Sequence, residues 1–174
     1  CSKIIRQIES LDCSVCGGLE NVQGIGIGVP GPVDTEHGVM IMATNLPGFE
    51  NYPICEKLSS RFNLPVFIDN DANVAGLAEA LLGAGKGKPT CYYVTISTGI
   101  GGAFIVNGQL VSGGRGHAGE IGNIIVKNNG YKFGGLNPGA VEGEASGTAI
   151  TRKGKEILGE DKVAHAGDVF RLAD

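Results

Sequence analysis

The sequence is short of charge, of long apolar runs and of paired metal-binding motifs. Only 18% of its 174 residues are Asp, Glu, Lys or Arg, and the net charge is −4. So slight and acidic a balance gives no electrostatic case for nucleic acid or an anionic membrane, and neither is expected as a partner of this region. No apolar run approaches the roughly 20 residues a membrane-spanning helix needs. The first residues, CSKIIRQIES, lack the basic-then-apolar pattern of a secretory leader. Five cysteines are an odd number, which argues against a complete disulfide framework. Reduced thiols and a cytoplasmic location are the expectation. Cys13 and Cys16 form one CxxC with no second pair, which reads as a surface loop beside Gly17 and Gly18 rather than redox or metal chemistry.

Glycine is what the chain has in plenty, with 30 residues. The glycines cluster in tight loops between apolar segments, which excludes a low-complexity linker. The length suits one ordinary domain or parts of two. No internal repeat and no obvious linker interrupts the chain.

Apolar spacing predicts a helix over 2–11, a buried strand over 22–29 and a short strand over 39–42. Pro53 opens an expected helix over 53–62, and a strand is expected at 66–68. Over 71–82, Val74, Leu77, Ala78, Leu81 and Leu82 share one helical face, stopped by Gly83 and Gly85. Residues 91–97 and 102–106 read as a strand pair around a glycine turn, and 141–157 as a further helix. Alternating strands and helices predict an α/β architecture.

Two glycine loops invite comparison with nucleotide-binding motifs. Residues 26–31 (GIGVPG) fit G-x-G-x-x-G, but Pro30 and Pro32 flank Gly31 and no helical pattern follows directly. The dinucleotide reading needs a helix there, so it is rejected. Close backbone packing, or backbone approach to a small ligand at Gly31, accounts for the glycines. In 95–102 (TISTGIGG) a strand delivers Ser97 and Thr98 into a glycine turn that can aim N–H groups and a hydroxyl at phosphate oxygens. No Walker lysine follows, and on these residues alone a plain hairpin turn fits equally well.

The segment FIDNDANVA (67–75) crowds Asp69, Asn70 and Asp71 into the junction between a strand and a helix. Asn70 or Asp71 could cap the helix. A cap needs one such side chain, however, and this turn supplies several. A carboxylate at the C-terminal end of a strand also lies where α/β folds bind ligands. It could accept a proton from a sugar hydroxyl attacking a phosphoryl group.

Taken in order, GIGVPGPVD (26–34), ATNLPGF (43–49), IDNDANVAGLAEALLGAGKG (68–87), VTISTGIGGAFIVNGQLVSGG (94–114), HAGEIGNIIV (117–126) and EGEASGTAI (142–150) resemble the ROK family, named for repressors, open reading frames and sugar kinases. The resemblance runs over nearly the whole chain. It implies the two-lobed actin/hexokinase-like (ribonuclease H-like) fold, only partly covered by this chain, with sugar in the cleft and ATP beside it. Residues 1–69 would be part of the smaller lobe and 70–174 part of the larger. The implied activity is phosphorylation of glucose or a related hexose by ATP with Mg2+. Asp71 would be the general base. Gly31, Asn45, Asn70, Glu120, Asn123 and Glu142 would line the sugar pocket, and Thr98, Gly99, Gly101 and Gly102 would form a phosphate loop. Taken singly, Asn45 also reads as a turn residue, Glu120 as an exposed helix residue and Glu142 as a first-turn acid. A homodimer is the family expectation. The alternatives are a sugar-sensing repressor of the same family and a non-catalytic sugar-binding protein.

The sequence departs from the family in two places. Many relatives hold a structural zinc with one histidine and three cysteines; here those positions fall on Asn123, Phe133, Gly135 and Ala140. His117 lies at the wrong place in the motif, so no zinc is expected, and packing around Phe133 is expected to take its place. The family's DIGGT-like phosphate loop does not precede Cys1, and the chain stops at Asp174 before the adenosine-binding segment. The expectation is an internal fragment that transfers phosphate poorly by itself.

Overall fold

The computed structural model describes residues 1–11, 17–42, 46–114 and 116–173. Cys13, Cys16 and Asn45 lie outside the described residues. The chain divides into two compact units, Cys1–Val74 and Ala75–Asp174.

In the first unit, β1 (Ile25–Val29) and β4 (Val66–Asn70) pair in parallel, with Val29 opposite Asn70. Along β1, Gly26 and Gly28 alternate with Ile25, Ile27 and Val29, so one face is bare backbone and the other feeds the core. A short antiparallel pair, β2 (Val33–Asp34) and β3 (Val39–Met40), follows. Helix α2 (Ile54–Phe62) ends on Asn63 in the left-handed conformation, a usual way to stop a helix. Val29, Met40, Ile54, Leu58 and Ile68 form the buried core, and Ile4, Ile5 and Ile8 of α1 (Ser2–Glu9) pack against it.

In the second unit, β5 (Thr90–Ile96), β6 (Ile100–Val106) and β7 (Gln109–Leu110) form an antiparallel sheet. Asn107 and Gly108 join β6 to β7, both at positive φ (50° and 77°). That is the backbone a two-residue hairpin turn requires, and Asn-Gly is the pair that adopts it most readily. Helix α3 (Asp71–Leu81) lays Leu77 and Ala80 against Ala103 and Ile105. A Cβ on Gly76 would lie 2.6 Å from that of Ala103 and 2.9 Å from that of Tyr93, so helix and sheet meet where a side chain is missing. The tail carries α4 (Val141–Ala145), α5 (Gly147–Leu158) and α6 (Ala166–Ala173).

Several boundaries differ from expectation. The strand predicted over 22–29 begins at Ile25, and that over 39–42 ends at Met40. The strand predicted at 66–68 continues to Asn70, because β1 pairs with it through its whole length. The apolar face of 71–82 is buried only in part: Leu77 packs on the core, Val74, Ala78, Leu81 and Leu82 are exposed, and the small residues Ala72, Gly76 and Ala80 are buried. Close helix–sheet approach favours small side chains over large ones there. The helix predicted over 141–157 breaks at Ser146, whose extended backbone and hydroxyl start α5: its Oγ accepts from the N–H of Ala149 at 3.2 Å. Helix α6 had no expectation from the sequence.

Gly76→Ala should destabilise the protein by about 1–3 kcal/mol through overpacking, read from the denaturant midpoint. An unchanged midpoint would show that α3 can move away from the sheet at no cost.

Candidate active site

The parallel register brings the C-terminal ends of β1 and β4 to one edge of the first unit. Three residues singled out above gather there. Asn70 donates from its amide to the carbonyl of Gly31 at 3.3 Å, and its Oδ1 accepts from the N–H of Ala72 at 2.9 Å. Gly31 has φ 81°, a left-handed turn that glycine adopts without strain. Asp71 opens α3, and its Oδ1 also accepts from Ala72 N–H at 2.9 Å. Asp69 is occupied locally, accepting from Asn70 N–H at 2.7 Å and from the Asn73 amide at 2.9 Å. Asp69 and Asn70 are half-buried and Asp71 is exposed, so the two neighbours shape the turn while Asp71 faces out. The crowding of polar residues has this physical reason: one carboxylate is displayed by a turn that others hold.

In the second unit, the tip of the β5–β6 hairpin is Ser97, Thr98 and Gly99, closed by a bond from Ser97 N–H to the Gly99 carbonyl at 2.9 Å. The glycine turn is therefore shorter than expected, for Gly101 and Gly102 lie in β6, opposite Thr95 and Val94. A Cβ on Gly102 would stand 2.9 Å from the carbonyl of Gly119, so this glycine accommodates a neighbouring segment. Glu142, in the first turn of α4, is half-buried, and its Oε2 accepts from the N–H of Ile100 at 2.7 Å. Glu120 precedes a 3-10 turn, Ile121–Asn123, and both it and Asn123 are exposed. Gly122 in that turn is pressed against the hairpin and Glu142: a Cβ there would lie 2.4 Å from the Ile100 carbonyl and 3.3 Å from Glu142 Oε2. The Ile121–Asn123 turn thus packs through Gly122 against Ile100 and Glu142, while Glu120 and Asn123 themselves are exposed. His117 is exposed.

A cavity of about 1000 Å³ adjoins the tip, lined among others by Ser97, Thr98, Thr148, Arg152, Lys155 and His165. The start of α5 is tied to the tip by Gly147 N–H to the Ser97 carbonyl (2.8 Å) and by the Thr148 hydroxyl to the Thr98 carbonyl (2.8 Å). Thr148, Arg152 and Lys155 had no role in the sequence reading. Their signal was Ser146-Gly147 inside the assumed helix, a residue pair that caps better than it propagates.

The zinc-ligand positions carry an amide, an aromatic ring, a hydrogen and a methyl group, and Ala140 is fully buried. This donor set does not fit zinc. Among the described residues, no group of three or more His, Cys, Asp or Glu could hold a metal ion. Nor is any described helix long and apolar enough to cross a membrane.

The ROK family model matches residues 3–174. The chain belongs to the ROK family. It is 36% identical to a glucokinase of Thermotoga maritima over 98% of this chain and 52% of that protein. It is 34% identical to a xylose repressor of Bacillus subtilis over 86% of this chain and 40% of that protein. Among solved structures, a ROK hexokinase from Thermus thermophilus matches with a TM-score of 0.77 at 37% identity, covering 87% of this chain and 49% of the other. A ROK glucokinase from Streptomyces griseus, solved with glucose and AMPPNP, matches with a TM-score of 0.73 at 30% identity, covering 99% of this chain and 59% of the other. The fold is accordingly the actin-like α/β fold of ROK hexokinases. The chain spans about half the length of the curated relatives it matches.

Asn70→Ala should cost about 0.5–2 kcal/mol, the usual loss for a removed N-cap, measured by denaturant unfolding. Asn70→Asp keeps the acceptor and should cost less. Equal stability of wild type and Asn70→Ala would remove Asn70 from its place as the cap.

Proposed function

We propose that the protein is an ATP-dependent sugar kinase that phosphorylates glucose or a related hexose, with Asp71 as general base. The observation that carries this is an exposed carboxylate at the C-terminal end of a parallel strand, in a turn closed by its neighbours. Asp71 takes the proton of the attacking hydroxyl as that oxygen bonds to the γ-phosphorus of ATP. The bond to the departing ADP breaks, and its electrons leave with ADP. Asn70, Gly31 and Asn45 bind sugar hydroxyls, as do Glu120, Asn123 and Glu142. Carboxylates and amides suit a polyol, since each hydroxyl both donates and accepts. In this reading residues 1–69 belong to the smaller lobe and 70–174 to the larger.

The cavity beside the hairpin supports a nucleotide site. Its volume is ample, and Lys155 and Arg152 line it together with the acids Glu156 and Glu160, Arg152 being paired with Glu156 at 3.0 Å. Thr98, Gly99, Gly101 and Gly102 are the proposed phosphate-side residues, with magnesium arriving as the counter-ion of ATP. The similarity to a xylose repressor favours a second reading, a sugar-sensing regulator that binds sugar without phosphorylating it.

A coupled ADP-release assay on the full-length protein with a hexose panel separates the two. Sugar-dependent ADP release is expected, and Asp71→Asn should reduce turnover at least about a hundredfold while sugar still binds. Near-normal turnover in Asp71→Asn would reject the assigned base, and sugar binding without any ADP release would favour the sensor.

A further inference from the structure

The segment between Asn123 and Glu142 is where the donor set fails for zinc, yet the structure fastens it closely. Val126 and Lys127 donate from their N–H groups to the Gly139 carbonyl (2.9 and 3.3 Å), and Gly139 N–H donates to the Tyr131 carbonyl (3.1 Å). Ile125 bridges Ala140, and Val141 N–H donates to the Ile124 carbonyl at 2.8 Å. The immediate neighbours of Asn123 and Glu142 are therefore bonded to each other. Packing around Phe133, expected to take the metal's place, is joined by polar ties. Phe133 does pack over Gly143, where a Cβ would lie 3.1 Å from its own, but the tie at the loop's far end is polar.

That tie is Glu144. Its side chain is only 8% exposed. Oε1 accepts from the N–H of Tyr131 at 2.7 Å, and Oε2 accepts from Lys153 Nζ at 2.8 Å, with Lys127 Nζ 3.9 Å away. Lys153 Nζ donates as well to the Glu144 carbonyl at 2.9 Å. The Arg152 guanidinium stacks 3.7 Å from the centre of the Tyr131 ring and donates to the Gly143 carbonyl at 3.3 Å. Gly130 leaves the room the carboxylate needs: a Cβ there would stand 2.5 Å from Oε1. One carboxylate thus joins the loop, through Tyr131 and Lys127, to α4 and α5, through its own backbone and Lys153. Such charge-assisted bonds, made by a largely covered carboxylate to partners at the surface, do what a shared metal ion does: they fix several segments to one centre.

We propose that Glu144 is a positioning residue: a metal-free carboxylate clamp, completed by Lys153 and the Arg152–Tyr131 stack, that holds the 124–141 segment and so sets Asn123 against Glu142. The effect on sugar binding rests on the function proposed above; the clamp itself does not. Hydrogen bonds from Lys153 and from the Tyr131 N–H, with the charges of Lys153 and Lys127, hold the Glu144 carboxyl at about 2, below its ordinary 4.5. A lowered value means the clamp is charged and complete above the ordinary value, and is lost as the pH falls below it toward 2.

The test uses the full-length protein, with Glu144→Ala and, in case that variant does not fold, Glu144→Gln, which keeps an acceptor for Tyr131 but loses the ion pairs. Hydrogen exchange at the Tyr131 amide should quicken about tenfold or more in Glu144→Ala and less in Glu144→Gln. EDTA should leave exchange in the wild type unchanged, and the hexose KM should rise about tenfold in Glu144→Ala with a smaller change in kcat. Unchanged exchange at Tyr131 in both variants, or release of the wild-type loop by EDTA, would overturn the clamp. Quickened exchange with an unchanged KM would overturn its positioning role. If the wild type phosphorylates no hexose, the proposed function fails, while the exchange and chelator measurements still decide the clamp.

Discussion

The side chain of Asn70 is the constraint on which the candidate site depends. One end receives the first free N–H of α3, and the other reaches across to the carbonyl of Gly31. A single amide thereby satisfies a helix start and fastens the loop after β1 to the end of β4. Without it the Gly31 carbonyl would lose this donor, and the Ala72 N–H would keep only the Asp71 carboxylate as acceptor. Asp69 and Asn70 are half-buried in these bonds, while Asp71 is exposed and its Oδ1 meets the Ala72 N–H. Gly28 of β1 lies near the start of α3, for a Cβ there would stand 3.4 Å from the Cα of Asp71.

In the second unit the corresponding role falls to Glu142. Its bond to the Ile100 N–H locks the base of the hairpin whose tip carries Thr98 and Gly99. Gly122 allows the turn bearing Glu120 and Asn123 to settle against the same carboxylate. A carboxylate has lone pairs for more than one donor, so a structural bond to Ile100 is compatible with holding a hydroxyl. Glu142 and Glu144 stand two residues apart on α4 and are drawn to different partners, one to the hairpin and the other to the 127–131 loop. The short helix is thus pinned at both sides, and polar ties from Glu144 to Lys153 and Tyr131 stand beside the apolar packing at Phe133.

What could be read from the sequence follows what is local. The strand-to-helix junction at 66–71 was legible because its polar residues sit between two apolar patterns, and either Asn70 or Asp71 was recognisable as a cap. The α/β class and the family were legible from ordered motifs. The register of β1 on β4, which places Gly31 beside Asn70, was not, since partners about forty positions apart leave no local trace. The apolar pattern of α3 points to large inward side chains, yet of these Leu77 packs on the core while Val74, Leu81 and Leu82 are exposed. Tertiary approach instead selected Gly76 and Ala80, against a sheet the helix pattern does not reveal. The break at Ser146 was hidden for a similar reason: Gly147 yields to the hairpin tip, where a Cβ would lie 2.7 Å from the Ser97 carbonyl. Glu144 was passed over because an acid in a short helix carries no mark of the lysine nine residues later or the loop amide thirteen residues earlier that it binds.

The most direct measurement is a crystal structure of the full-length protein with a bound hexose. The account predicts the Asp71 carboxylate within about 3 Å of one sugar hydroxyl, with Asn70 still bridging Gly31 and Ala72. A hexose bound with its hydroxyls beyond hydrogen-bonding reach of Asp71, and that carboxylate facing only water, would contradict it.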